Sequence, residues 1–263
     1  MAKETNFFFD FPTLPKELIR AFKKSTDASY KAFSREYGDF IESFFNPLLK
    51  FLVFWEKLLV NTPWPIIIGV VCVFAYYGTR SFKIIIGIIL SFFFVGYLGM
   101  WDDMMQSMGF IIVATIMAIA IGIPIGVWMA KSNRVQAVIT PILDFMQTLP
   151  PFVYLIPVVM LLGIGKVPGL ISVIVYAIPP MIRLTNLGIR EVDQDILEAA
   201  NSFGATPWQK LTQVQFPLAL PTIFAGVNQT IMMALAMVII ASMIGVKGLG
   251  QEVLRAITIN ILH

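Results

Sequence analysis

The chain has 263 residues, 57% of them apolar and 13% charged, with a formal net charge of +3. Soluble domains carry about 25% charged residues, so the composition is that of an integral membrane protein and excludes a soluble enzyme. The small, dispersed positive charge gives no footprint for nucleic acid, and a single histidine (His263) and a single cysteine (Cys72) exclude histidine-based catalysis, a His-rich metal site and an intrachain disulfide.

Residues 1–57 differ from the rest, holding 9 Lys/Arg and 8 Asp/Glu against 10 and 8 in residues 58–263. Phe7-Phe8-Phe9 is too short for a signal-peptide core and is followed by charge. Phe33, Tyr37, Phe40, Ile41, Phe44, Phe45, Leu48, Leu49 and Leu52 recur at three- and four-residue steps, with Lys31, Arg35, Asp39, Glu42 and Lys50 between them. This spacing predicts an amphipathic helix that breaks and restarts at Asn46-Pro47. Residues 1–57 are therefore read as an N-terminal helical segment, extracytoplasmic or interfacial, whose aromatic face meets the membrane interface or the protein's own body.

From Leu58 onward, apolar runs alternate with short charged punctuation, and residues 58–263 are read as the transmembrane domain. A span needs about 20 residues, which predicts an all-α, polytopic protein with six membrane helices near 62–79, 84–100, 107–130, 142–163, 167–184 and 222–244. Lys and Arg are enriched in cytoplasmic loops. With 185–221 in the cytoplasm, the loops on that side hold Arg80, Lys83, Lys131, Arg134, Arg190 and Lys210, while the opposite loops hold only Lys166 and the pair Asp102-Asp103. That assignment puts the N-terminal segment outside.

Two places depart from plain spanning helices. Gln147-Thr148-Leu149-Pro150-Pro151-Phe152 puts a double proline and two polar side chains inside the fourth run, and Pro179-Pro180 sits late in the fifth. Broken helices at membrane depth line solute paths because their freed backbone groups need polar partners. Gln147, Thr148, Pro150, Pro151, Phe152, Tyr154 and Tyr176 are accordingly the candidate pathway residues, the aromatics as faces for a quaternary ammonium group or as packing. Asp144 is the one acidic residue close to an apolar segment and reads as an interfacial anchor or helix cap. There is no G-x-x-x-x-G-K-[ST] loop, so no nucleotide site is expected on this chain.

The polar island between the fifth and sixth runs carries the most specific pattern. Glu191, Asp193, Asp195 and Glu198 open a short helix, where negative charge suits an N-terminus. Gly204 supplies the left-handed stop, and Pro207 suits the first turn of a second helix. The stretch closes near Pro217 and Pro221. It resembles the coupling motif of ABC importer permeases, E-A-A-x-x-x-G, nine residues, then I-x-L-P. The matching positions are Glu198, Ala199, Ala200, Gly204, Val214, Phe216 and Pro217, with Val214 and Phe216 replacing the usual Ile and Leu.

Gln147 to Pro157, Val167-Pro168-Gly169, Pro179 to Thr185 and Gly245 to Gly250 further resemble the permeases of glycine betaine/proline-type uptake systems, over roughly residues 100–255. The resemblance implies a type I ABC importer permease architecture in the bacterial plasma membrane. It implies a permease homodimer whose coupling helices dock on a cytoplasmic ATPase dimer, and a periplasmic or surface binding protein that delivers the solute. ATP and Mg would be bound by the ATPase, with no cofactor on this chain. Glycine betaine is the first expected solute, with proline betaine, choline and trimethylamine N-oxide beside it. An amino acid or sulfonate permease, or a secondary carrier or channel without an ATPase, are the rivals. Relatives continue past the Gly-Leu-Gly region with another span, so a seventh helix is expected to be missing after His263.

Overall fold

The computed structural model describes residues 15–261, all of whose regular structure is helical. The helices are α1 (Lys16–Asn61), α2 (Trp64–Thr79), α3 (Phe82–Tyr97), α4 (Trp101–Lys131), α5 (Asn133–Thr148), α6 (Phe152–Leu162), α7 (Lys166–Arg190), α8 (Gln194–Ser202), α9 (Pro207–Gln209), α10 (Phe216–Ala241) and α11 (Leu249–Ile261). A π-helical segment, Lys210–Gln215, joins α9 to α10, and a 3-10 turn, Ser242–Ile244, follows α10.

Two compact units emerge, Met1–Phe45 and Asn46–His263. In the first, α1 begins at Lys16, and Leu18 and Phe44 are exposed. The Phe7-Phe8-Phe9 stretch, the side chains of Phe33, Tyr37, Phe40 and Ile41, and His263 lie outside the described residues. The break expected at Asn46-Pro47 does not occur: α1 runs from Lys16 to Asn61 with Pro47 inside it. The chain turns instead after Asn61, by 105° into α2, where Pro63 and Pro65 limit continuation of the helix.

In the second unit, α4, α7 and the stretch Pro207–Ile244 are each long and apolar enough to cross a membrane. Counting each of two bent pairs as one span gives up to five, and α3 is a shorter apolar helix. All six expected apolar runs are helical, but the fourth is not one rod. The α5 and α6 axes meet at 96° across Leu149-Pro150-Pro151. Leu149 is extended (φ −76°, ψ 136°), the conformation a following proline imposes. Pro179 and Pro180, by contrast, sit buried in an unbroken α7, so the second expected break is absent. Burial of α7 among its neighbours outweighs the local cost of the two missing amide donors.

The core is centred on α7. Leu170, Val173, Ile174 and Ala177 of α7 pack with Phe110, Val113 and Ala114 of α4, with Ala234, Met237, Val238 and Ala241 of α10, and with Leu52 of α1. Gly122-Ile123-Pro124-Ile125-Gly126 is a small-xxx-small stripe, the pattern that lets membrane helices approach backbone to backbone. It faces α7: a Cβ on Gly122 would sit 2.7 Å from Met181 Cγ, and one on Gly126 2.6 Å from Thr185 Cβ. At the α4 N-terminal end, buried Glu56 of α1 pairs with Lys166 at the start of α7. The backbone N–H of Leu249 donates to Ser107 Oγ of α4 at 2.9 Å, tying α11 to the same end.

Candidate functional site

The island is built as a knob closed by its own hydrogen bonds. Asp193 caps α8, accepting from the Asp195 N–H at 2.9 Å. At the other end Gly204 has φ +77°, and its N–H donates to the Asn201 carbonyl at 2.9 Å while the Ala205 N–H reaches back to Ala200 at 3.0 Å. These two bonds form a Schellman motif, which satisfies the orphan carbonyls of a helix end and needs a left-handed residue where glycine stands.

Thr206 then starts the next turn through a capping box. Its N–H donates to Gln209 Oε1 (2.9 Å) and the Gln209 N–H donates to Thr206 Oγ1 (3.3 Å), satisfying two amide donors reciprocally. Pro207 occupies the first helical position, as expected. The Lys210 ammonium donates to Asn201 Oδ1 at 3.0 Å, stapling the second helix to the first.

Beyond Gln209 the structure departs from two short helices ended by proline. Residues 207–244 run as one continuous helical rod with a π-helical stretch at Lys210–Gln215. The Phe216 N–H reaches the Leu211 carbonyl, five residues back. Pro217 lies just past this register change and Pro221 lies inside α10. A π-bulge of this kind absorbs an extra residue without ending the helix. Leu211 is buried with Met181 and Ile189 of α7 and with Ala219 and Ile223 of α10, and Phe216 packs against the same cluster. The island is thus continuous with the central packing of the membrane region.

Of the motif residues, Glu198, Ala199, Gly204, Pro207 and Pro217 are exposed, and Ala200, Val214 and Phe216 are half-buried. The structure brings them onto one knob and its rod. Phe203 and Trp208, which the sequence reading did not single out, are 92% and 68% exposed on that knob. Both are large apolar side chains on an otherwise polar loop. Lys131 Nζ lies 5.8 Å from the centroid of the Trp208 ring, a cation–π contact that ties the end of α4 to the knob. Thr206 and Gln209 were also missed, although T-x-x-Q is a legible capping box, and Lys210 was read only as a loop cation.

Polar contacts clamp this end of the bundle. Arg190 at the end of α7 donates from Nε to Asn186 Oδ1 (3.1 Å), and from its terminal nitrogens to Asn133 Oδ1 (2.8 Å) and the Met129 carbonyl (2.9 Å). Asp144 caps no helix; it lies inside α5 and pairs with Arg183, linking α5 to α7. Asp144 is exposed and Arg183 half-buried in the single chain, so the pair contributes on the order of 1 kcal/mol.

The pathway candidates flank the α5–α6 bend. Gln147, Thr148, Pro150 and Phe152 are exposed, Pro151 is half-buried, and Thr148 Oγ1 donates to the Phe145 carbonyl at 2.9 Å. The Tyr154 hydroxyl donates to the Met146 carbonyl across the bend. Its ring meets Tyr176 of α7 edge to face, with centroids 5.8 Å apart. Tyr154 and Tyr176 therefore come together, whereas Gln147, Thr148 and Phe152 make no shared site among the described residues.

Residues 122–263 match the family described as binding-protein-dependent transport system inner membrane component. The chain is 50% identical over 181 residues to the glycine betaine/carnitine transport permease protein GbuB of Listeria monocytogenes serotype 1/2a (strain 10403S), covering 69% of this chain and 64% of the relative. It is 49% identical over 205 residues to the glycine betaine/proline betaine transport system permease protein ProW of Escherichia coli (strain K12), covering 77% of this chain and 57% of the relative. The chain thus spans less than two thirds of the length of each of these curated relatives. Among solved structures, an inward-facing form of the MetNI methionine ABC transporter shares the fold, with a TM-score of 0.50 and 22% identity over 55% of this chain and 74% of that one.

Proposed function

The chain belongs to the family of binding-protein-dependent transport system inner membrane components, and from that premise we propose that it is the transmembrane permease of an ATP-driven importer for a small quaternary or tertiary amine osmolyte. Glycine betaine is the first candidate, with proline betaine, choline and trimethylamine N-oxide beside it. The observation that carries the reading is the Schellman-closed knob at 193–209, which displays Phe203 and Trp208 and continues without a break into the rod that ends at Ile244.

In this reading a groove on a cytoplasmic ATPase dimer grips α8 and the Thr206–Gln209 turn. The ATPase binds ATP and Mg and performs the hydrolysis. Its closure displaces the knob, and the displacement passes along a helix rather than through a flexible loop. Leu211 and Phe216 transmit it sideways into Met181 and Ile189 of α7. Such rigid-body motion of packed elements, with bistable packing at their contacts, is how small shifts become alternating access. The permease acts as a homodimer, a periplasmic or surface binding protein supplies the solute, and residues 185–221 face the cytoplasm while the α3–α4 turn faces outside.

The solutes that name the relatives, glycine betaine, carnitine and proline betaine, support the osmolyte class. Stimulation of ATPase activity by solute-loaded binding protein, in the complex purified from native membranes, tests it. Glycine betaine should stimulate, and stimulation by an amino acid or sulfonate alone would reassign the cargo.

The α5–α6 bend belongs to the solute path, and Tyr154 both pins the bend and lends it a π-face. Tyr154→Ala is expected to lower the rate of uptake in proteoliposomes by roughly tenfold, the loss of about 1.4 kcal/mol from one hydrogen bond and one aromatic contact. Unchanged transport kinetics would remove Tyr154 from the path.

A further inference from the structure

Glu56 is a carboxylate set in an apolar stretch of α1. It lies one turn after Leu52 on the same helix face, and the two are buried, 6% and 0% exposed. Lys57, its neighbour in sequence, is exposed on another face and leaves that charge unmet. Glu56 Oε1 has no hydrogen-bond partner among the described residues. The other oxygen, Oε2, pairs with Lys166 Nζ, 110 positions further along the chain. A Cβ on Gly109 of α4 would sit 3.2 Å from Glu56 Cα, so the backbone that carries the carboxylate is seated directly on α4.

Lys166 stands where α6 hands over to α7, across the link Gly163-Ile164-Gly165. Gly163 has φ +77°, Ile164 is 77% exposed, and a Cβ on either glycine would meet no heavy atom within 4 Å. The link is loosely packed, so α6 is free to pivot there, carrying Tyr154 and the bend with α5. No side chain caps the start of α7. Pro168, Gly169 and Leu170 are buried just beyond it, while the half-buried first residue, Lys166, is held by Glu56.

We propose that Glu56 is a positioning residue for the transport stroke: through Lys166 it anchors the start of α7 to α1, so that α6 and the α5–α6 bend pivot against a fixed α7. Separating a buried pair strands an uncompensated charge and is strongly destabilising, so the contact persists while the link moves. Glu56 touches no solute; it acts through the position of α7. The anchor comes from α1, outside the family-matched residues 122–263, and gives this earlier helix a part in the work of the matched region. The stroke belongs to the importer reading, while the attachment of α7 to α1 stands on the geometry alone.

The test is a double-mutant cycle of Glu56→Gln and Lys166→Met in the complex purified from native membranes with its ATPase and binding protein. Lys166→Met alone leaves the buried carboxylate unpaired, so the yield of monodisperse complex should fall. The double variant removes that charge and should recover the yield. Its maximal rate of glycine betaine uptake, per monodisperse complex, should nevertheless stay roughly fivefold or more below the parent. The concentration of loaded binding protein giving half-maximal rate should not change. Recovery of rate together with yield would overturn the proposal and leave the pair as a stabilising contact only. Hydrogen exchange in nanodiscs reads the anchor without transport: the amides of Leu170 to Ile174 should exchange roughly tenfold faster in the double variant than in the parent. Unchanged exchange there would also overturn the proposal. If the parent complex accumulates no glycine betaine while exchange rises in the variant, the importer reading falls and takes the stroke with it, and the attachment of α7 to α1 stands.

Discussion

Gly204→Val is expected to leave the protein folded in the membrane and to uncouple transport from ATP hydrolysis. Gly204 holds φ +77° at the Schellman stop, and a Cβ there would meet no heavy atom within 4 Å. The cost is therefore backbone strain alone. A β-branched side chain in the left-handed region costs about 1–2 kcal/mol, which shifts the population of the closed knob roughly 5–30-fold. The bonds from Gly204 to Asn201 and from Ala205 to Ala200 would be lost together, and α8 would no longer be held at a fixed angle to the Thr206 turn. Osmolyte uptake per ATP hydrolysed should fall by a similar factor, while the amount of protein in the membrane should not. Gly204→Ala, with a smaller penalty, should be intermediate. Full uptake by Gly204→Val would count against the knob as the element that transmits the stroke.

Gly126→Leu should act in the opposite manner, on folding rather than coupling. A Cβ at this position would lie 2.6 Å from Thr185 Cβ and 2.8 Å from the Ile182 carbonyl oxygen, which is backbone and cannot swing away. A leucine adds three further carbons to that contact, so α4 and α7 must separate. The separation disrupts the Met129–Leu143–Ile182 cluster and the Arg190 bracket to Met129 and Asn133. Overpacking typically costs about 1–3 kcal/mol and occasionally more, and a contact with backbone belongs at the upper end. The expected result is a large drop in monodisperse protein on size exclusion after detergent extraction. Gly87→Leu is the control: a Cβ there meets nothing within 4 Å, and its yield should match the parent. Equal yields for the two variants would refute the close α4–α7 approach.

The parts of the fold legible in the sequence are those set by local backbone chemistry. The acidic start of α8, the glycine stop and the Pro207 entry were readable because each satisfies or frees particular backbone groups within a few residues. The α5–α6 break was readable for the same reason, since two prolines in succession remove two donors and push Leu149 into the extended region. What was not legible depended on packing from elsewhere in the chain. Pro179 and Pro180 look as disruptive as Pro150 and Pro151, yet α7 stays unbroken because α4 and α10 bury it. Pro217 and Pro221 looked like the close of the island, yet the rod continues because Leu211 and Phe216 seat in the core. Asp144 had no visible partner until α5 and α7 were brought together at Arg183.

The site shows the same division. Glu198, Ala199, Ala200 and Gly204 form a motif because their spacing is local, whereas the apolar display of Phe203 and Trp208 is a property of the folded knob. The pathway candidates were chosen for proline chemistry, which correctly located the bend, but only Tyr154 and Tyr176 among them meet in space.

In the proposed mechanism this chain moves solute only when an ATPase drives its knob. The direct measurement is uptake of labelled glycine betaine into proteoliposomes holding the permease, with the partner ATPase and binding protein supplied or withheld and ATP supplied on the ATPase side. Accumulation against a gradient is expected only when permease, ATPase, binding protein and ATP are all present. Accumulation by the permease alone, driven by an ion gradient, would contradict it.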